Sequence, residues 1–114
     1  MDGAELILLY DYYGALLTDR QRECFELRYD QDLSLGEIAQ ELGISRQGVH
    51  DNLTRTEALL KNMEEKTGCV SRDRRCRLMA SRVSALAREL SSVNDPAVVR
   101  LAEEILSVAR ELEE

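Results

Sequence analysis

Apolar residues recur along most of the chain at the three- and four-residue spacings of amphipathic helices. Leu6, Leu9, Tyr13 and Leu16 form the first such stripe and predict a helix over Glu5–Leu16 with those four buried. Tyr10 and Tyr12 fall off that stripe, at an edge or a subunit contact. Gly14 weakens this helix locally. A second helix is predicted over Thr18–Arg28, with Thr18 and Gln21 spaced as a capping box and Asp19 favouring its first turn. Cys24 reads as a core residue of this helix. Tyr29–Asp32 is a polar break.

The next stretch, Leu33–Leu60, organises the rest. Ser34 and Glu37 form a second capping box, and Leu35, Ile38, Ala39 and Leu42 form one apolar face. Gly43 suits a left-handed turn, Ile44 can tuck into the core, and Ser45 can cap the helix that follows. Val49, Leu53, Thr56, Leu60 and Met63 make its inward stripe, which runs on to Thr67-Gly68. About 23 residues at roughly 1.5 Å each predict a helix some 34 Å long. Helix, glycine turn and helix in this order is the helix-turn-helix layout.

Beyond Ser71 the chain turns basic, and Cys69 and Val70 are placed to close the turn before it. Cys76, Met79, Val83, Leu86 and Leu90 then repeat at three and four. Asn94-Asp95-Pro96 breaks the pattern, with Asp95 as cap and Pro96 at the first helical position. Val98, Leu101, Ile105, Val108 and Leu112 resume the rhythm. Two matching stripes across a short turn predict an antiparallel helical pair. Its apolar faces would cover the front of the same chain or a second subunit, and together with the tyrosine-bearing first helix they predict a homodimer. The expected fold class is all-α, with residues 1–68 as a helix-turn-helix domain and 69–114 as a C-terminal helical extension.

Composition narrows the function. The 114 residues include three cysteines, Cys24, Cys69 and Cys76, without the paired spacing of a zinc site. His50 is the only histidine. No glycine-rich phosphate loop and no nucleophile–base grouping appears, so no catalytic residue, cofactor, metal or small-molecule substrate is expected. No apolar run reaches spanning length, and the acidic start MDGAELILLYDYY does not read as a signal peptide. A cytoplasmic protein with no membrane insertion is expected.

The formal charge of −7 opposes simple DNA binding, because phosphate neutralisation supplies most nonspecific affinity. The distribution softens that objection. Residues 1–45 hold ten acids against three bases, whereas residues 46–77 hold eight bases against five acids. The bases begin where the second helix of the motif begins. Arg46, Gln47 and Asn52 are the candidate base-reading residues, Arg55 the candidate phosphate contact, and His50 a further candidate nucleic-acid contact. Arg72, Arg74 and Arg75 form a second candidate phosphate patch, since the guanidinium fork suits phosphate oxygens. Weak DNA binding aided by a second subunit is expected.

The stretch LTDRQRECFELRYDQDLSLGEIAQELGISRQGVHDNLTRTEALL, Leu17–Leu60, resembles the promoter-reading region four of bacterial sigma factors. The matching pieces include Leu27-Arg28-Tyr29, Glu37-Ile38-Ala39, Leu42-Gly43-Ile44-Ser45 and Val49. With the tyrosine-rich first helix and Ala15-Leu16-Leu17-Thr18 added, the chain is similar to the YlxM family of small proteins. That resemblance covers about two-thirds of the chain. It implies a DNA-binding regulator and, through gene neighbourhood, a link to the signal recognition particle pathway. A noncatalytic adaptor binding the particle's GTPase or its RNA is the alternative it implies. Gly48 and His50 stand where the family pattern leads one to expect alanine and tyrosine.

Overall fold

The computed structural model describes residues 2–113. Among these, six α-helices follow one another: α1 Gly3–Tyr13, α2 Asp19–Tyr29, α3 Leu35–Leu42, α4 Arg46–Thr67, α5 Cys69–Ser91 and α6 Pro96–Glu113. A short 3-10 turn, Gly14–Leu16, follows α1. The fold is all-α. The chain divides into two compact units, one ending at Val70 and the other beginning at Ser71.

In the first unit, side-chain caps set the helix starts. Asp2 accepts from the Glu5 amide, and Thr18 and Ser34 form complete capping boxes with Gln21 and Glu37. Ser45 accepts from the Gly48 amide at the start of α4. Each such cap is worth about 1 kcal/mol. Gly43 ends α3 at φ 68°, the left-handed conformation that an ordinary side chain resists.

The 22-residue helix α4 is the element that α1, α2 and α3 all pack against. Its first half places Val49 and Leu53 in a cluster with Cys24, Ile38 and Ala39. Its second half places Leu60 in a cluster with Leu6, Leu9, Tyr13, Leu17, Phe25 and Val70. Thr56 sits fully buried between the two, its hydroxyl donating to the Asn52 carbonyl at 2.9 Å. This i−4 bond lets a polar residue continue an apolar stripe.

The end of α1 departs from the periodic reading. Leu16 is 71% exposed and Leu17 is buried instead. The 3-10 turn advances the chain faster than an α-helix, so the next apolar position takes the inward place. Tyr10 also lies inward of its expected edge position. Its ring stacks on Phe25 at 4.3 Å between centroids, and Phe25 meets Tyr29 at 4.5 Å. The two hydroxyls of this wall and that of Tyr13 reach carboxylates: Tyr10 donates to Glu26, Tyr29 to Glu57 and Tyr13 to Glu64. Tyr13 also bonds Thr67 at 2.6 Å, and Glu64 accepts from the Val70 amide at 3.0 Å.

In the second unit α5 and α6 are joined by a four-residue turn, Ser92–Asp95, with Asp95 accepting from the Ala97 amide. So short a turn makes α6 run back along α5, and Ser84 on α5 donates to Glu113 near the far end of α6. The residues buried here are Ala80, Ser84 and Ala87 on α5 and Ala102 and Ala109 on α6. The large apolar stripe read from the sequence is exposed: Cys76, Met79, Val83, Leu86 and Leu90 on α5, and Leu101, Ile105, Val108 and Leu112 on α6. Only Val98, of that stripe, is half-buried.

Candidate nucleic-acid interface

The glycine turn and the two serine caps bring the starts of α3 and α4 to one surface. Leu35, at the first turn of α3, lines a shallow cleft with Arg46, Gln47 and His50 of the first turns of α4. The three α4 residues are exposed. Val49 and Leu53 hold the opposite side of α4 in the core, so the helix cannot rotate to hide them. Three of the sequence-predicted residues are thus together on one solvent-facing cleft.

Two predicted residues lie apart from that group. Asn52 is half-buried beside Thr56, whose hydroxyl bonds its carbonyl. It follows the edge of the inward stripe rather than the outward face. Arg55 is exposed on the other flank of α4, where it lines a second shallow depression with Gln21, Ala58, Leu59 and Asn62. Arg72, Arg74 and Arg75 are exposed in the first turns of α5, all three within the second unit.

The reading of types and spacings missed Asp51. It is exposed on the same face and accepts from the Gln47 side-chain amide at 3.0 Å. His50 Nδ1 stands 3.7 Å from the same Oδ1. The i,i+4 spacing of Gln47 and Asp51 carried the signal. Asp51 does two things to the face. It repels phosphate, and it holds the Gln47 amide so that a bidentate pairing with adenine requires that bond to open.

The other acids of α4 are largely withdrawn from this surface. Glu57 and Glu64 accept from Tyr29 and Tyr13. Burial, followed by the Glu57 hydrogen bond and charge, pushes the Tyr29 hydroxyl up to about 12, so the phenol keeps its proton and remains the donor. Tyr13 of α1 and Tyr29 of α2 therefore each engage one α4 carboxylate.

Among the described residues no group of three or more His, Cys, Asp or Glu side chains is placed to hold a metal ion, and no helix is long and apolar enough to cross a membrane.

Comparison with known proteins agrees with this geometry. The family model described as "Putative helix-turn-helix protein, YlxM / p13 like", UPF0122, matches residues 2–94. A UPF0122 protein of Thermoanaerobacter sp. (strain X514) is 47% identical over 113 residues, 96% of this chain and 92% of its own. One from Bacillus cereus (strain AH187) is 42% identical over 87 residues, 76% of this chain and 79% of its own. A third, from Desulforamulus reducens, is 58% identical over 65 residues, 57% of this chain and 56% of its own. The glycine turn, the capped recognition-type helix and these matches together show that the chain belongs to the UPF0122 family of YlxM / p13-like helix-turn-helix proteins.

Proposed function

We propose that this protein is a cytoplasmic regulator that binds duplex DNA through the start of α4. The observation that carries the reading is the cleft where Arg46, Gln47 and His50 stand exposed beside the start of α3. An α-helix presented in this way fits the major groove, where Arg46 can pair with guanine and Gln47 with adenine. Arg55, further along α4, is the phosphate contact, and Arg72 and Arg74 add charge of the same sign. Asn52 supports the helix from its half-buried side rather than reading a base. With a net charge of −7, binding is weak and steeply salt-dependent.

That same acidic balance favours a second reading, an adaptor that uses the helix-turn-helix as a scaffold and binds the signal recognition particle GTPase, alone or within its RNA–protein particle. The test is a low-salt selection from a randomised duplex pool, with a structured RNA and the purified GTPase as parallel ligands. DNA reading predicts retention of a common duplex sequence, lost in Arg46→Ala/Gln47→Ala while the helical circular dichroism persists. Loss of the Arg46 pairing alone should cost about 1–3 kcal/mol. Capture of the GTPase, with or without the RNA, and with no retained duplex would replace the first reading by the second.

A further inference from the structure

The second unit inverts the usual order of burial by size. Its buried residues are small, and its large apolar residues face solvent. Met79, Val83, Leu86 and Leu90 on α5 are 43–61% exposed, and Leu101, Ile105, Val108 and Leu112 on α6 are 39–61% exposed. Both stripes border a single apolar groove, lined by Met79 and Val83 from one helix and Leu101, Ile105, Val108 and Leu112 from the other. So large an uncovered apolar surface on a soluble helical pair marks an interaction site.

The placement of the remaining residues says what covers it. Each stripe repeats at alternating four and three, the seam of a bundle helix. One step beyond Met79, Leu86, Leu101 and Val108 stand Ala80, Ala87, Ala102 and Ala109, the flank already buried. One step before Cys76 and Val83 stand Arg75 and Arg82, and one step before Ile105 and Leu112 stand Glu104 and Glu111. One residue is a turn of about 100°, so these charges occupy the flank opposite the alanines. All four are exposed. The pair therefore has a basic outer edge on α5 and an acidic outer edge on α6, on either side of an apolar groove.

Such a surface is its own complement. We propose that the α5–α6 pair docks on the α5–α6 pair of a second copy of this chain, forming a four-helix bundle about a twofold axis parallel to the helices. α5 of each copy then lies beside α6 of the other, running antiparallel to it. In antiparallel neighbours the charged flanks meet, which sets Arg75 against the partner's Glu111 and Arg82 against the partner's Glu104. Both pairs fall into one register because each helix spaces its charges by seven. Glu89, the next position of the same kind on α5, meets the partner's Ala97, which has no charge to oppose it. The alternative docking, α5 beside α5, would set arginine on arginine and is disfavoured. α1 has no part in the contact, since Leu6, Leu9 and Tyr13 are spent in its own unit. The bundle does not depend on what α4 binds.

Sedimentation velocity of the full chain at micromolar concentration is expected to show twice the 13.0 kDa of one copy. Arg75→Glu/Arg82→Glu opposes four pairs of acids across the bundle, and Glu104→Arg/Glu111→Arg opposes four pairs of bases. Each variant alone should dimerise roughly tenfold or more weakly than wild type. An equimolar mixture of the two restores both sets of opposite charges, and it should sediment as a heterodimer. Val83→Ser/Ile105→Ser, which keeps every charge, should also shift to monomer with unchanged helical circular dichroism when dilute. A wild-type chain that stays monomeric, charge-reversed chains that dimerise as wild type does, or a mixture that stays monomeric would each overturn the proposal.

Discussion

The two units of the chain use the same helical rhythm for opposite ends. In the first unit the stripe positions are the core: Ile38, Val49 and Leu60 have no exposed surface, and Phe25 is enclosed between Tyr10 and Tyr29. In the second unit the stripe positions are the surface, and alanines beside them are enclosed. The difference lies in the number of helices available. Four helices converge in the first unit, three of them on α4, so each apolar arc finds a partner. Two helices can enclose only one arc apiece, and the flank with the smallest side chains is the one enclosed here. Periodicity marks where apolar arcs lie; the number of neighbours decides which arc is buried.

Large-to-small substitutions break this contrast most directly. Phe25→Ala should cost about 3–5 kcal/mol, because it empties a fully enclosed site and leaves two tyrosine rings without their middle partner. Leu86→Ala, at a 52% exposed position, should change the stability of the dilute chain by no more than about 0.5 kcal/mol. Urea unfolding of both at low concentration measures the comparison. Similar losses would mean that the second unit has a core of its own in the dilute chain.

Much of the first unit was legible in the residues, because its signals are local. Thr18 with Gln21, Ser34 with Glu37 and Gly43 act over four residues or fewer, and each does what its spacing predicts. The inward stripe of α4 was readable for the same reason. Three features were not. Leu16 yields to Leu17 because a 3-10 turn resets the phase, and no residue there announces it. Tyr10 turns inward because Phe25, 15 positions on, offers a ring to stack on. In the candidate site, Arg46, Gln47 and His50 stand exposed on one cleft, yet Asn52 followed the stripe it borders and Asp51 went unread. A residue type states what a side chain can bind, and only packing states where it points.

Gly14 sharpens the account of the aromatic wall. A Cβ built there would stand 3.1–3.3 Å from three atoms of the Tyr10 ring. An alanine here would push the stacked ring by a few tenths of an ångström. Gly14→Ala should destabilise by about 1–3 kcal/mol by pushing Tyr10 off Phe25. In a Tyr10→Leu background the same substitution should cost less, since the rigid ring is gone. Thermal melts of the two single variants and the double variant give the coupling.

The wall also makes a pH prediction that the second unit, which has no tyrosine, does not share. Burial first, then the hydrogen bond to Glu26 and its charge, push the Tyr10 hydroxyl up to about 12, and burial with Glu57 does the same for Tyr29. An unfolded tyrosine ionises near about 10. The folded values are raised, so the stabilisation is fully present below pH 10 and is lost as pH rises from 10 through 12. Urea midpoints measured across that window should fall, and Tyr10→Phe/Tyr29→Phe should flatten the fall. An equal slope in the double variant would assign the loss to other groups.

The smallest effect tests how tightly the start of α4 is built. Glycine early in a helix costs up to about 1 kcal/mol relative to alanine, so Gly48→Ala should stabilise on propensity alone. The structure opposes that gain. A Cβ at residue 48 would lie 3.1 Å from Ser45 Oγ, the atom that accepts from the Gly48 amide and caps the helix. The serine must shift by a few tenths of an ångström, which weakens a cap worth about 1 kcal/mol. The two effects should nearly cancel, leaving Gly48→Ala within about 0.5 kcal/mol of wild type. Ser45→Ala removes the cap and its crowding together. Gly48→Ala added to that background should then show its propensity gain in full, a coupling of about 0.5–1 kcal/mol between two residues three apart. Chemical denaturation of the four chains of this cycle measures it. A gain from Gly48→Ala equally large with and without the Ser45 hydroxyl would show that the cap tolerates the methyl group, and that glycine at this position does nothing to keep the cap in place.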